Sequence, residues 1–222
     1  MKLVQCWDDG VTNDERLVAL LRRHGAGATF NLNPGLYAPQ RQFGWVHRGT
    51  DVWRLGLDEL PEVYQGFNIA NHTLTHPHLA QLPIAEARRE IQEGRARLQA
   101  LFGQPVTGFV YPFGTFNAEV AQAVREAGHS YARTTRAADA GVDQRDPMAA
   151  APSCHFLAAD FWERLARARE TGCFWFWGHS YELINESMWT AFEASLARLC
   201  AEPGAVWCTP ADLFEAPQLS PP

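Results

Sequence analysis

The stretch that decides the fold is residues 1–32, MKLVQCWDDGVTNDERLVALLRRHGAGATFNL. Short apolar runs over residues 2–7 and 28–32 predict two strands. Between them, residues 12–25 place leucines along one helical face, begin with Thr and Asn residues that can cap a helix, and end on a glycine. A strand, a helix and a second strand in this order are typical of a βαβ unit with parallel strands.

The same alternation continues along the rest of the chain. Residues 34–65 are rich in Pro, Gly and Trp and are predicted to be irregular, with a short helix near 57–64. Short strands separated by helices predict a parallel sheet with helices outside, either open and doubly wound or closed into a barrel. The further predicted strands are 67–71, 107–111, 130–134, 153–157, 173–177 and 205–208, about eight in all, and the further helices are 83–102, 118–127, 159–170 and 186–200, with a last short turn at 212–215.

Composition limits the classes of protein to consider. The chain has 222 residues, a net charge of −6, 46% hydrophobic and 20% charged residues, which is ordinary for a globular domain. A nucleic-acid binder needs a basic surface, so the acidic balance argues against that class. No low-complexity linker or repeat divides the chain. We therefore predict a single domain over residues 1–216, followed by a frayed tail over 217–222.

The start of the chain and its cysteines give an expectation about the compartment. The opening MKLVQCWDDG interrupts its short apolar run with two aspartates, which is typical of neither a secretory leader nor a membrane span. The five cysteines are odd in number, widely spaced and without a C-x-x-C pair, which favours reduced and mostly buried thiols. We therefore expect a cytoplasmic protein without membrane contact.

Polar side chains follow several predicted strands at the point where each strand ends. Asp8 and Asp9 follow the first strand, His72 follows the third, and His179 follows the aromatic strand at 173–177. The carboxyl ends of parallel strands meet at one mouth of a barrel or one edge of an open sheet. We therefore expect these side chains to lie close together in space, although they are far apart in the chain.

The histidine pair and the aspartate pair each have a metal-binding interpretation and a simpler one. His72 and His76 are four residues apart, so in a helical segment both rings could reach one metal ion. Adjacent carboxylates at Asp8 and Asp9 point in different directions, so one can hold a cation while the other stays free. Equally, Asp-Gly is a common turn pair, the histidines can be surface or capping groups, and His179 can be a core histidine.

Taken together, these residues form the inventory for metal-assisted hydrolysis. One aspartate and two histidines are enough to bind a metal and leave room for water and substrate. A free carboxylate can take a proton from that water, and a separate imidazole can give a proton to the leaving group. A histidine that emerges from an apolar strand is partly desolvated, so its pKa can lie near 7.

Five short motifs resemble the polysaccharide deacetylase family, which is the NodB-homology domain or carbohydrate esterase family four. The resemblance covers about residues 3–210, nearly the whole chain. The segment 28–30 corresponds to the family's A-T-F strand, and the segment 71–77 corresponds to its N-H-[ST]-x-x-H-P signature. The motifs are CWDDG at 6–10, similar to T-F-D-D-G, then ATF at 28–30, NHTLTHP at 71–77, YPFG at 111–114, similar to the end of R-x-P-[FY]-G, and GH at 178–179.

The resemblance implies a fold and a metal site. The fold is a distorted (β/α) barrel, usually with seven strands, so we expect seven to eight parallel strands in a single α/β domain. The implied metal ligands are Asp9, His72 and His76. The implied cofactor is a divalent metal ion, commonly zinc, with cobalt, nickel and manganese as other candidates.

The resemblance also implies catalytic roles. Asp8 is implied to be the general base that activates water, and His179 the general acid for the departing amine. In the segment Tyr111-Pro112-Phe113, the backbone N–H of Phe113 is implied to help stabilise the oxyanion. All three residues of this segment are therefore candidates for substrate binding.

Two features depart from the family pattern. The arginine of the R-x-P-[FY]-G motif, which helps to orient the base, falls at Val110. The usual D-x-x-D-W motif is not found, because residues 160–162 have the wrong spacing. Arg133 or Arg136, at the end of the next strand, could supply the missing cation, although a surface role is the simpler interpretation of each.

The function that these observations predict is removal of an acetyl group from an N-acetylated amino sugar by a metal-dependent hydrolase. Two alternatives stay open: hydrolysis of another small amide or a cyclic ureide (allantoinase-like), and non-catalytic carbohydrate binding. The expected partner is a small-molecule or oligosaccharide substrate, not nucleic acid or a membrane, and the oligomeric state is left open. The segment 37–55, with Phe43, Trp45, His47 and Trp53, either shapes the substrate pocket or packs as a surface loop.

Overall fold

The computed structural model describes residues 1–139, 141–143 and 145–214. Its main sheet has eight strands, and every strand pair within it is parallel. Two further strands form a separate antiparallel hairpin. In chain order the strands are β1 Lys2–Asp8, β2 Thr29–Leu32, β3 Gln42–His47, β4 Thr50–Arg54, β5 Asn68–Asn71, β6 Gly108–Val110, β7 Tyr131–Arg133, β8 Cys154–His155, β9 Cys173–Gly178 and β10 Val206–Trp207.

The main sheet is ordered β7-β6-β5-β2-β1-β9-β8, with β10 paired to the start of β1. Its two outer strands approach each other through the chain between them, because Arg133 at the end of β7 forms a parallel bridge with Ala150, a few residues before β8. This incomplete closure is consistent with the distorted (β/α) barrel of seven to eight parallel strands that the sequence predicts, so the predicted fold class is confirmed.

The helices pack outside this sheet. Each of the five long predicted helices is present within two residues of its expected bounds, and the predicted short helix near 57–64 is a 3-10 turn at Leu57–Glu59 that continues into α2. The last predicted turn is a 3-10 turn at Ala211–Leu213, and the tail predicted over 217–222 lies outside the described residues. The helices are α1 Asp14–His24, α2 Leu60–Val63, α3 Ile84–Phe102, α4 Ala118–Glu126, α5 Phe161–Thr171 and α6 Glu186–Cys200.

Alternation along β1 separates the outer core from the barrel interior. Leu3 and Trp7 belong to the large hydrophobic cluster under α1 and α6, whereas Val4 and Cys6 belong to a second cluster on the opposite face. Successive side chains of a strand point to opposite faces, so Asp8 continues the series of Val4 and Cys6. The Asp8 carboxylate therefore lies at the carboxyl end of β1 on the interior side of the sheet.

The segment predicted to be irregular contains a β-hairpin that the sequence analysis missed. Residues 42–54 form the hairpin β3–β4, so the prediction of an irregular segment over 34–65 is wrong there. A bulge between Phe43 and Trp45 interrupts the alternation of side chains that identifies a strand. The turn at Arg48 and Gly49 has φ values of 48° and 81°, a geometry usually marked by Asn-Gly rather than Arg-Gly.

Two further observations bear on the expected environment. Among the described residues, no helix combines the length and the apolar character needed to cross a membrane. All five cysteines lie in the described part of the chain and are unpaired, and Cys6, Cys154 and Cys173 are buried. The cytoplasmic localisation and the domain boundary at residue 216 stay predictions.

Candidate active site

The functional candidates converge at the carboxyl ends of the sheet strands. Asp8 ends β1 and Asp9 follows it, His72 follows β5, Arg133 ends β7, and His179 follows β9. His179 Nε2 lies 3.9 Å from Asp8 Oδ2 and 3.8 Å from Asp9 Oδ2, so side chains from the ends of two separate strands, β1 and β9, lie within a few ångströms of each other.

Asp9, His72 and His76 present three ligand atoms to one point. The Nε2 atoms of His72 and His76 lie 3.1 Å apart, and Asp9 Oδ1 lies 3.9 and 3.8 Å from them. Two imidazole nitrogens and one carboxylate oxygen at these separations fit a zinc-type donor set, in which each atom lies about 2.0–2.2 Å from the ion.

The state of the two imidazoles also suits a cation. His72 Nδ1 lies 2.8 Å from the Val110 carbonyl, which can only accept a hydrogen bond, so the proton is on Nδ1 and Nε2 carries a lone pair. Burial lowers the pKa of His72, and burial together with the neighbouring His72 lowers the pKa of His76 to about 4. Both rings are therefore neutral near pH 7, as metal ligands must be.

The backbone around this donor set is unusual. Among the described residues, five other than glycine have positive φ, and four of them lie at the site: Asp9 at 79°, Thr73 at 70°, His76 at 61° and Phe113 at 59°. A left-handed conformation is unfavourable for such residues and tends to occur where the surrounding structure enforces it, commonly at functional sites. His72 and His76 therefore meet through a loop with two left-handed residues, not through a helical turn.

Buried polar side chains hold this loop in shape. Glu90 of α3 accepts hydrogen bonds from the Thr75 N–H at 2.7 Å and the Thr75 hydroxyl at 2.8 Å. Asn33, just after β2, donates to the His72 carbonyl, and Thr73 Oγ1 accepts from the His76 N–H at 2.9 Å. These contacts offset the backbone strain, because each satisfies a group that the loop would otherwise leave unpaired.

Asp8 lies in a different environment from its neighbour. Its Oδ1 accepts from Asn31 Nδ2 at 2.6 Å, and its Oδ2 accepts from Arg133 Nη2 at 2.5 Å. Burial alone would raise the pKa of Asp8, but the Arg133 guanidinium, the two nearby histidines and the Asn31 amide together lower it to about 2. Asp8 is therefore a fixed, ionised carboxylate.

Of the two arginines that the sequence offered, the structure brings Arg133 to the carboxylates. Arg133 is fully buried, and its guanidinium also lies over the Trp177 ring, 4.5 Å from the centroid. Arg136 is exposed, and its only hydrogen bond to a described residue beyond its own loop runs to the Ala149 carbonyl at 3.4 Å. The cation beside Asp8 therefore comes from the end of β7, whereas Val110 contributes its backbone carbonyl to His72.

His179 is oriented by a carboxylate of its own loop. Glu182 Oε2 accepts from His179 Nδ1 at 3.1 Å and from the His179 backbone N–H at 3.0 Å. Burial would lower the pKa of His179, but the hydrogen bond to Glu182 and the charges of Asp9 and Asp8 raise it to about 9. Near pH 7 the ring is an imidazolium, with Nε2–H facing the two aspartates.

The segment at residues 111–113 is only partly available to a ligand. Phe113 is 50% exposed, its ring stacks on His78 at 3.7 Å, and among the described residues its backbone N–H has no hydrogen-bond acceptor. Tyr111 and Pro112 are buried, and the Tyr111 hydroxyl donates to the Met148 carbonyl at 2.8 Å. Substrate contact by the Tyr111 and Pro112 side chains is therefore not supported, because both lie beneath the turn that exposes Phe113.

The hairpin β3–β4 forms a wall beside His179. The rings of Trp45 and His47 meet Tyr181 edge-on at 5.1 and 5.0 Å, and Tyr181 lies 4.9 Å from the His179 ring. By contrast, Phe43 and Trp53 are about half exposed and pair with each other at 6.0 Å. Two of the four ring side chains noted in segment 37–55 thus border the site.

Two residues near the site were missed by the sequence analysis. His155 lies 2.9 Å from Glu182, and Asp14 is a buried carboxylate bonded to Ser180, next to His179. The rule that polar residues follow strand ends could have found His155, but the predicted strand 153–157 placed it inside the strand. Asp14 lies in the first turn of a predicted helix, where acidic residues are common, so nothing in the sequence indicates that its side chain is buried.

Comparison with known proteins gives one family match and several similar structures. The sequence model of the family described as polysaccharide deacetylase matches residues 2–132. A Bacillus subtilis protein, YxkH, which is named as a polysaccharide deacetylase, is 26% identical over 140 residues, covering 62% of this chain and 46% of YxkH. The chain therefore spans somewhat less than half the length of that relative.

The similar solved structures extend the likeness of fold to nearly the whole chain. A family 4 carbohydrate esterase from Streptomyces lividans, in complex with acetate, is 17% identical with a TM-score of 0.60, covering 93% of this chain and 91% of that one. A CE4 family pseudoenzyme from Bacillus anthracis is also 17% identical, with a TM-score of 0.61, covering 96% and 65%. At these identities the likeness shows the fold alone, and the two neighbours differ in activity.

Proposed function

Because the chain belongs to the polysaccharide deacetylase family, we propose that it is a metal-dependent amide hydrolase that removes an acetyl group from an N-acetylated amino sugar. The observation that carries this proposal is the pairing of a donor set with an ionised base and a protonated acid. His179 Nε2 lies within 4 Å of both Asp8 and Asp9, and Asp9 lies within 4 Å of both donor histidines.

The ligands in this proposal are Asp9, His72 and His76. A set of two neutral imidazoles and one carboxylate suits zinc best, with cobalt, nickel and manganese as weaker candidates. When bound, such an ion supplies Lewis-acid polarisation of the amide carbonyl and makes water easier to deprotonate. The Val110 carbonyl supports this role by keeping the proton of His72 on Nδ1.

Asp8 acts as the general base in this proposal. Arg133 and Asn31 hold its two oxygens, so the carboxylate stays ionised and oriented while it takes a proton from the attacking water. The same contacts lower its basicity, which favours rapid release of that proton later in the cycle. Asp8 and Asp9 divide the work because one carboxylate is paired with a guanidinium and the other faces two imidazoles.

His179 acts as the general acid, and Phe113 stabilises the oxyanion. The hydrogen bond from His179 Nδ1 to Glu182 leaves Nε2–H to protonate the departing amine. The Phe113 N–H, which has no acceptor among the described residues, can donate to the oxygen that gains charge in the transition state.

The two alternatives that the sequence left open, hydrolysis of another amide or cyclic ureide and non-catalytic carbohydrate binding, are now less well supported. The absence of an arginine at Val110 suggested a different substrate or a non-catalytic protein. However, Arg133, at the end of the strand next to that of Val110, makes an ion pair with Asp8. An intact acid, base and donor set is unnecessary for simple carbohydrate binding. The family match favours a carbohydrate acetamide as the substrate.

The proposal is tested by measuring acetate release from N-acetylglucosamine and its oligomers, with cyclic ureides as comparison substrates. We expect acetate release that is lost on chelation, restored by zinc, and abolished in His76→Ala. His24→Ala is the matched control, because His24 pairs with Glu193 of α6 and does not belong to the donor set. Acetate release that resists both chelation and His76→Ala would contradict the proposal.

A further inference from the structure

Glu182 accepts hydrogen bonds from two different histidines. Besides the two hydrogen bonds from His179, Glu182 Oε2 accepts one from His155 Nε2 at 2.9 Å. His155 is the last residue of β8, whereas Glu182 lies in the short turn after β9. The ring centroids of His155 and His179 are 6.3 Å apart, and both rings form a hydrogen bond with Glu182 Oε2.

The tautomer of His155 follows from its second contact. Its Nδ1 lies 3.2 Å from the backbone nitrogen of Leu157, which can only donate. Nδ1 must therefore offer a lone pair, and the ring hydrogen must sit on Nε2, where Glu182 is the acceptor. His155 thus enters the cluster as a donor to Glu182, not as a base.

Packing keeps His155 in this orientation. Its ring lies edge-on to Trp177 at 4.8 Å and tilted against Phe156 at 5.0 Å, and the side chains of His155 and Glu182 are 25% and 19% exposed. A carboxylate in such a half-buried place needs donors to stay ionised. Burial would raise the pKa of Glu182, but the hydrogen bonds from His155 and His179 lower it.

We propose that His155 is a positioning residue for the hydrolysis proposed above: by donating to Glu182, it fixes the carboxylate that holds His179 Nδ1–H and so aims His179 Nε2 at the aspartates. This inference rests on the proposed function, because it assigns His155 a part in the same reaction. Among the described residues, the His155 side chain makes no hydrogen bond or ion pair with Asp9, His72 or His76.

His155, His179 and Glu182 could also be considered as a second metal site. Hydrogen bonding explains them better, because the ring nitrogens that face Glu182 are both required to carry hydrogen. A bound metal would need those nitrogens deprotonated. The hydrogen-bonded arrangement therefore predicts that His155 adds no metal to the protein.

Two substitutions separate positioning from mere packing. His155→Leu fills the same space without a donor, whereas His155→Gln places an amide N–H near the position of Nε2. His24→Leu is the matched control, because His24 also pairs with a glutamate, Glu193 at 3.4 Å, but on the outer surface of α1. Melting temperature and metal content are measured for all three variants.

We expect His155→Leu to lower kcat about tenfold or more with little change in KM, since a misaligned acid loses part of the roughly 100-fold or larger gain of general acid catalysis. His155→Gln should recover kcat to within about threefold of the wild type, and His24→Leu should leave it unchanged. Equal losses in the Leu and Gln variants, or no loss in either, would overturn the inference, as would a second metal equivalent that disappears with His155.

A nitrogen-15 NMR measurement on the wild-type protein tests the same inference without any substrate. We expect ring signals that place hydrogen on Nε2 of His155 and on Nδ1 of His179, with the His179 signal broadened in His155→Leu and kept in His155→Gln. Hydrogen on Nδ1 of His155 would contradict the inference even if no variant folds. If the wild type releases no acetate while the NMR pattern holds, the proposed function fails and the arrangement of His155 stands.

Discussion

Asp8 and Asp9 are neighbours in the chain with opposite surroundings. Asp8 is the last residue of β1 and points to the barrel interior, where Arg133 and Asn31 hold it. Asp9 leaves the strand with φ of 79°, which turns its side chain toward the two donor histidines. One backbone rotation thus separates a carboxylate suited to proton transfer from one suited to metal binding.

This separation predicts different losses for the two aspartates. Asp8→Asn should lower kcat about 100-fold to 10,000-fold, because the base is removed, while the zinc content stays at the wild-type value. Asp9→Asn should lose zinc, because a ligand oxygen becomes a weaker amide donor. Metal analysis and acetate release measured on the same samples test both outcomes. Loss of zinc in Asp8→Asn with retention in Asp9→Asn would reverse the assignment.

The ion pair between Arg133 and Asp8 predicts a large change in stability. Arg133→Met would leave a buried carboxylate without its cation and should lower the free energy of unfolding by about 3–5 kcal/mol. Arg136→Met is the control and should change it by no more than about 0.5 kcal/mol, because that side chain is exposed. Urea unfolding at pH 7 measures both, and similar small effects for the two variants would argue against the ion pair.

At the residue scale, the candidate functional side chains were easier to predict than the contacts that each of them makes. Residue type and strand-end position were enough to single out Asp8, Asp9, His72, His76 and His179. The choice between Arg133 and Arg136 was open, because two residues three apart at a strand end leave in different directions and the direction depends on the actual end of β7. His155 was hidden for the same reason, since β8 is shorter than predicted.

At the scale of elements, Asp14 connects two loops of the site. It lies in the first turn of α1, is fully buried, and accepts from the Ser180 hydroxyl, from the Tyr64 hydroxyl at 2.6 Å and from the Val11 N–H at 3.3 Å. The turn that follows Asp9 is thereby tied to the turn that carries His179. Burial raises the pKa of Asp14 to about 7, although its hydrogen bonds act in the opposite direction.

This raised pKa predicts a pH dependence of stability. Between the unfolded pKa of about 3.9 and the folded value of about 7, the native state holds a proton that the unfolded chain releases. The free energy of unfolding should therefore fall as pH rises through this window, by on the order of 4 kcal/mol from this group, and be level above it. Asp14→Asn should flatten the dependence, as measured by urea unfolding from pH 4 to pH 8.

The control for this measurement is Asp58→Asn, because Asp58 is an exposed carboxylate. That variant should keep the wild-type slope. An unchanged slope in Asp14→Asn would mean that Asp14 is ionised in the folded protein at pH 5.

Elements with a clear period were predictable, and the hairpin was not. The long helices carry an apolar stripe and, for α1 and α3, a left-handed glycine at the end, so their bounds follow from local chemistry. The hairpin β3–β4 has a bulge and an Arg-Gly turn, and its stability comes from contacts with distant residues. One such contact is made by Arg54 of β4, which donates to the carbonyl of the distant Asp9 at 3.3 Å. The Arg54 guanidinium also lies over the Trp45 ring of the same hairpin.

At the scale of the whole molecule, the class of fold followed from the alternation of elements, but the order of the strands did not. Each strand pairs through backbone groups that all residues share, so periodicity predicts that a strand exists without naming its neighbour. The order β7-β6-β5-β2-β1-β9-β8 and the bridge from Arg133 to Ala150 depend on packing of the whole chain. The convergence of the strand ends nevertheless follows from parallel topology alone.

The fold by itself leaves the activity undecided, since a pseudoenzyme and an esterase share it at similar TM-scores. The proposed activity therefore depends on five side chains: a donor set of Asp9, His72 and His76, flanked by Asp8 and His179. Its most direct test is anomalous diffraction at the zinc edge from crystals grown with zinc. We predict one strong peak about 2.0–2.2 Å from Asp9 Oδ1, His72 Nε2 and His76 Nε2, with Asp8 outside the coordination sphere. A peak held by Asp8 or by the His155–Glu182 cluster, or no peak at all, would contradict the account.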